Sequence, residues 1–231
     1  MKPALGCTEP IAVALASAKA SELLGLARDG AGTLDVRVSG NILKNGMGVG
    51  IPGTDKVGLH IAAALGAICG NSSYGLEVLK DLRPSDVQKA KAMVSEGRVN
   101  IAVEEDAPLL YVKATFSCSD GSAFAQIEDE HDKIVRTGIG NQVLPAQSGV
   151  TSGSSNKEKD TLDYNLTVKE IYSFAGSVAF DDIKFILADR DLNLALSEAG
   201  LGNHYGLGVG KAIKENRNGV FGDDFMSFAM A

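Results

Sequence analysis

Apolar positions switch between helical and alternating spacing four times along the chain, and each spacing predicts its own kind of element. Residues 8–24 are Ala-rich, with Ile11, Leu15, Ala18 and Glu22 at helical spacing. Thr8 is the expected N-cap, Glu9 suits the positive end of the helix dipole, and Pro10 is tolerated in a first turn. Residues 33–39 alternate apolar and polar, the pattern of a half-buried strand. Residues 40–54 read as a long Gly-rich loop, and residues 57–68, nearly all apolar, predict a buried helix. Pro84-Ser85-Asp86 opens another helix that ends at Gly97. Residues 99–104, 109–118, 122–128 and 134–137 read as strands joined by turn residues, giving an antiparallel meander packed on the preceding helices. Residues 148–161 are Gly/Ser-rich, with the chemistry of a flexible linker. Helical spacing returns after them. Thr167 and Glu170 form a capping box, residues 178–199 run to a stop at Gly200, and residues 207–215 and 221–231 follow.

The expected fold is α+β, an antiparallel sheet with packed helices inserted between an N-terminal helix and a C-terminal all-helical region. Its parts are residues 1–30, grouped with the helical part; an α/β insert, 31–147; a linker, 148–161; and a helical region, 162–231. Packing residues 8–24 with the helices after 162 would set Cys7 against the helical part and not the sheet. The last apolar stretch, with Met226, Phe228 and Met230, needs a surface to cover it. Docking on its own core and cover by further chain both satisfy that need.

With 231 residues the chain is long enough for one or two domains without disulfide or metal staples. Its net charge is −7 and no Lys/Arg cluster occurs, which argues against nucleic acid and against an anionic membrane surface as partners. The three cysteines, Cys7, Cys69 and Cys118, are odd in number and fit no zinc spacing. They point to a reducing, cytoplasmic setting. The opening residues show no leader pattern, and the longest apolar runs fall far short of the ~20 residues of a membrane span.

Candidate chemistry begins at Cys7. A thiol just before a helix N-terminus meets unpaired N–H groups that favour the thiolate, the form that binds metal or attacks. The alternative is a small buried hydrophobe. The loop at 40–54 presents Asn41, Lys44 and Asn45. Lys44 suits a substrate carboxylate, or a base if burial lowers its pKa, or it is a solvated surface lysine. Residues 48–53 formally satisfy G-x-G-x-x-G, but the strand ends well before them and Pro52 removes a donor, so NAD is not expected. Residues 206–210 are read as a site of close helix packing. His131 reads as a solvated hairpin tip, His60 as a minor base candidate and His204 as a cap in an interhelical turn.

Pro3-Ala4-Leu5-Gly6-Cys7-Thr8-Glu9-Pro10 resembles the signature opening of the L-cysteine desulfidase family, related to the α-chain of iron–sulfur L-serine dehydratases. Residues 43–54, 62–80 and 180–200 resemble further blocks of that family. The resemblance implies a lyase that removes the α-proton of L-cysteine and releases sulfide, leaving pyruvate and ammonia. It implies a [4Fe–4S] cluster held by three cysteines, one of them matching Cys7, with the other ligands beyond residue 231. Cys69 and Cys118 fall in no ligand-bearing block and are read as structural. Lys44 and Asn45 become the catalytic candidates, and Thr8, Glu9 and Asn41 the substrate-binding ones. Family members run to about twice this length, so a C-terminal half or a partner chain is expected to complete the protein. The isolated chain is then a candidate for inactivity, and a homodimer is left open. L-serine dehydratase, with the same cluster, is one alternative. A non-catalytic module that binds a small molecule or docks a partner is another. A pyridoxal-phosphate lyase using Lys44 is disfavoured, because no PLP fingerprint accompanies it.

Overall fold

The computed structural model describes residues 6–25, 31–145, 166–203 and 208–215. Residues 1–5, the stretch 148–161 read as a linker, His204 and the apolar stretch 221–231 lie outside them. The chain divides into two units, Met1–Gly153 and Ser154–Ala231.

The first unit is α+β. Its six-stranded sheet has the order β4-β1-β5-β6-β7-β8, formed by β1 (Thr33–Val38), β4 (Val99–Val103), β5 (Tyr111–Cys118), β6 (Gly121–Glu128), β7 (Ile134–Ile139) and β8 (Gln142–Leu144). The strands β5, β6 and β7 form the expected meander, and β8, which the residue pattern does not predict, extends it. The first meander strand does not join it: β4 pairs parallel with β1, Leu34 opposite Val99 and Val38 opposite Val103, on the far edge. β1 is antiparallel to β5 and so separates β4 from the meander. The connection between β4 and β5, residues 104–110, is long enough to carry the chain past β1.

Alternation along the strands sends one set of side chains inward. Leu34, Val36, Val38, Val112, Ala114, Ala125 and Ile127 are buried, while Asp35 stays exposed and Lys113 half-exposed. Two helices cover that inner face. Helix α1 (Thr8–Leu23) lies on β5 and β6, and α3 (Leu59–Cys69) reaches β4 and β1. Helix α4 (Pro84–Ser95) packs on α3. A sheet with one covered and one polar face is the usual antiparallel solution.

Helix α1 has almost no polar face: every residue from Pro10 to Ala18 is buried. It packs on α3 and the sheet inside the first unit, unlike the grouping of residues 1–30 with the helical part. The small side chains of α1 and α3 let the two backbones touch. A Cβ on Gly66 would stand 2.1 Å from the Ala14 carbonyl oxygen, and one on Gly70 2.9 Å from the Ala18 Cβ. Both contacts advance by four residues in the same sense, so α1 and α3 run parallel and start at the same end of the unit.

The expected loop at 40–54 is partly helical. Ser39 Oγ accepts from the Ile42 amide at 3.3 Å and donates to the Leu109 carbonyl at 2.8 Å, which starts α2 (Gly40–Gly46) and ties it to the sheet. Buried Ile42 anchors the turn. The remainder is a small hairpin of β2 (Gly50–Ile51) and β3 (Lys56–Val57). Residues 48–53 thus lie in a hairpin and not at a strand-to-helix turn.

The described part of the second unit is helical: α5 (Val168–Ser177), α6 (Phe180–Ile183), α7 (Ile186–Gly202) and α8 (Val209–Glu215). The Thr167–Glu170 capping box is formed, Thr167 Oγ1 accepting from the Glu170 amide and Glu170 Oε2 from the Thr167 amide. The single helix expected over 178–199 is two, separated at Lys184 and Phe185. Among the described residues no helix is long and apolar enough to cross a membrane.

Candidate functional site

At the end of the first unit where α1 and α3 begin, three pieces of chain meet. They are the start of α1, the end of α2 and the turn between β6 and β7. Cys7, not Thr8, is the N-cap residue of α1, with extended backbone and no side-chain cap bond. Starting one residue early places Pro10 third in the helix, where its missing N–H is harmless. Gly6 lies beside Pro52 of the β2–β3 hairpin. Gly58, at φ +95°, turns the chain from that hairpin into α3. A Cβ there would stand 2.8 Å from the Met47 carbonyl oxygen, so α2 and α3 abut end to end.

Glu9 is the centre of the cluster. Its Oε2 accepts the Cys7 thiol at 2.9 Å and the Thr8 hydroxyl at 3.4 Å, and its Oε1 accepts the Asn45 amide at 3.2 Å. Cys7 and Asn45 are exposed and Glu9 is half-buried, so the cluster faces solvent from a rigid base. The Cys7 thiol donor holds the Glu9 carboxyl below its usual range. Burial opposes this, while the helix N–H, Asn45 and the charge of His131 assist. The Cys7 pKa is raised, first by burial, then by the bond it donates to Glu9 and by that carboxylate's charge. The backbone N–H groups of Glu9 and Thr8 pull the other way and lose.

This corrects the expectation of a thiolate favoured by the helix terminus. The carboxylate of Glu9 takes the positive end of α1, and the thiol becomes its hydrogen-bond donor. Of the sequence candidates, the fold brings Cys7, Thr8, Glu9 and Asn45 together. Asn41 and Lys44 sit exposed on the same short α2, and among the described residues no hydrogen bond ties either to Glu9. His60 is exposed in the first turn of α3, at the same end of the unit.

His131 is the residue that sequence reasoning missed. It is half-buried, and its charge acts on Glu9 from the β6–β7 turn. Nothing in the local run Glu128-Asp129-Glu130-His131-Asp132 announces this, because the pairing of β6 with β7 and the path of α1 set the proximity. Cys69 and Cys118 both pack partly on the core, and the Cys69 thiol donates to the Leu65 carbonyl at 3.3 Å. Among the described residues no group of three His, Cys, Asp or Glu is arranged to hold a metal ion. Cys7 is the thiol at this cluster, a single soft ligand.

No family model matches the chain, and no solved structure matches it. It is similar to a protein of Shewanella pealeana, 46% identical over 217 residues, covering 93% of this chain and 50% of that protein. A protein of Oleidesulfovibrio alaskensis is 43% identical over 232 residues, covering 99% of this chain and 52% of its own length. One from Vibrio campbellii is 40% identical over 231 residues, with 98% and 53% covered. Each is named a UPF0597 protein, and the chain spans about half the length of the curated relatives it matches.

Proposed function

We propose that this chain is part of an iron–sulfur lyase of the L-cysteine desulfidase kind, acting on L-cysteine to give sulfide, ammonia and pyruvate. The observation that carries the reading is the exposed Cys7 thiol, bonded to Glu9 within the block that resembles that family's signature. The described residues supply one cluster ligand, Cys7, and no second one beside it; the proposal takes the others from outside this chain. When bound, a [4Fe–4S] cluster would supply a soft Lewis acid matched to the substrate sulfur.

The chain's own residues have separable tasks. Cys7 Sγ offers the ligand, and Glu9 Oε2 accepts the thiol hydrogen bond and would take that proton and pass it to solvent as the thiolate forms. Asn45 Nδ2 keeps the Glu9 carboxylate from rotating. Glu9 and Thr8 receive the substrate ammonium, since a carboxylate and a hydroxyl oxygen are both acceptors. Lys44, exposed on α2 with Asn41, takes the substrate carboxylate.

The test uses the chain extended to the length of its relatives, treated anaerobically with iron and sulfide. Expected are the broad visible absorbance of a cluster and sulfide release from L-cysteine. Both should be lost in Cys7→Ala. Turnover of L-serine in place of L-cysteine would assign the dehydratase instead. Absence of both absorbance and turnover, or full activity in Cys7→Ala, overturns the reading.

A further inference from the structure

Among the described residues, the helices of the second unit carry large apolar side chains that are exposed. None of the described residues of α5, α6 and α7 is buried. On α5, Val168 and Tyr172 are 84% and 80% exposed, and Ile171 completes their stripe. On α7, Leu192 and Leu196 are 68% and 71% exposed. At ten residues, α5 is marginal in water unless an apolar face is covered. A patch of this kind marks a contact surface.

The arrangement on α7 says what sort of contact. Leu192 and Leu196 lie one turn apart on one side, in line with Phe185 at the N-cap. Leu187 and Leu194, seven residues apart, lie on another. Leu192 and Leu194 differ by two positions, which is about 200° round the helix. Asp189 and Asn193 share one strip between the two apolar sides with exposed Ile186, and Asp191 and Glu198 occupy the other. A flat two-fold contact with a second copy covers one side of such a helix. A helix apolar on opposite sides belongs inside a helical layer, with neighbours on both flanks.

The relatives supply the missing neighbours. This chain matches the Oleidesulfovibrio alaskensis protein over 99% of its own length, helices included, yet covers only 52% of that protein. We propose that α5–α7 are a half-built helical domain, and that its occupant is the remaining half of the longer polypeptide, packing on both sides of α7. This does not rest on the lyase reading; it rests on exposure and length.

The test compares this chain alone with the same chain fused to the remaining half of the Shewanella pealeana protein. Hydrogen exchange is followed in peptides from residues 168–202. The fusion is expected to slow their exchange at least tenfold, while residues 59–69 are unchanged. Leu192→Glu and Leu194→Glu, on opposite sides of α7, should each remove the protection; Asp191→Asn should keep it. Equal protection in the isolated chain overturns the proposal. So does protection that appears only with a concentration-dependent dimer of the isolated chain, or loss of protection in only one of the two Glu variants. Because the readout is exchange and not turnover, an inactive fusion with protected helices would sink the lyase reading and leave this one standing.

Discussion

Gly66→Ala tests the contact on which the site's placement depends. The added methyl would stand 2.1 Å from the Ala14 carbonyl oxygen, 2.7 Å from its carbon and 2.8 Å from the Ala14 Cα. Ordinary contact starts at 3.4 Å, so α1 and α3 would have to part by about 1.3 Å. All three obstructing atoms are backbone, and no rotamer can relieve them. Overpacking a tight core typically costs about 1–3 kcal/mol, and backbone against backbone belongs at the upper end. Alanine is intrinsically better than glycine in a helix by about 1 kcal/mol, which offsets part of it. The net expectation is a loss of about 2 kcal/mol, or roughly 1 M in the urea midpoint for a slope of ~2 kcal/mol/M. Unfolding followed by far-ultraviolet circular dichroism measures it. Gly40→Ala is the control: nothing lies within 4 Å of its Cβ, and it should stay within about 0.5 kcal/mol of the parent. If Gly66→Ala matches the parent as closely, α1 and α3 do not touch there, and the account of how Cys7 is positioned is wrong.

Glu9→Gln removes a charge and a strong acceptor from the Cys7 thiol, leaving burial as the main cause of its raised pKa. The midpoint of iodoacetamide reactivity against pH should fall towards the ordinary thiol value, and an unmoved midpoint would refute the Cys7–Glu9 bond. Because the Glu9 pKa is lowered by folding, its stabilisation is present above the ordinary carboxylate range and disappears as pH falls through its depressed value. The parent should therefore lose more thermal stability than Glu9→Gln in that acid window, by less than about 1 kcal/mol because water screens the group; parallel curves of Tm against pH would contradict this. His131→Ala removes a charge that helps keep Glu9 ionised, so the Glu9 carboxyl should titrate higher in a carbon-13 NMR titration. Thr167→Ala removes the hydroxyl arm of the α5 cap, leaving the residue-167 amide free to donate to Glu170, and should cost about 1 kcal/mol there, seen as faster amide exchange at Glu170.

Elements with strong periodicity were legible from the residues alone. The alternation of Leu34, Val36 and Val38, the apolar run of α3 and the Thr167–Glu170 box each appear where the pattern puts them. Pairing was not legible where it depends on distance along the chain. Nothing in residues 99–104 says that this strand runs parallel beside β1. Glycine content hid α2, because Gly40 and Gly46 read as a loop until Ser39 is seen bonding both Ile42 and Leu109. At the site, the residues close in sequence were legible: Cys7, Thr8 and Glu9 by adjacency, and Asn45 by the block that contains it. His131 was not, since its neighbours resemble any charged turn. The state of the Cys7 thiol was misread for a related reason. The helix terminus favours negative charge, but Glu9 already carries that charge two residues away.

The burial of α1 also sets an order of events during synthesis. It is made first, yet the strands it lies on, β5 and β6, leave the ribosome about 100 residues later, which takes about 5–20 s at ordinary rates of translation. Helix α3 follows well before the sheet and can cover one side of α1, but until β5 and β6 emerge the side that lies on them has no native seat. The nascent chain therefore has to shelter residues 10–18 in transient contacts or in a chaperone. The Cys7–Glu9 bond is local to the start of α1 and needs no sheet, whereas the charge of His131 joins the cluster only after the β6–β7 turn has emerged.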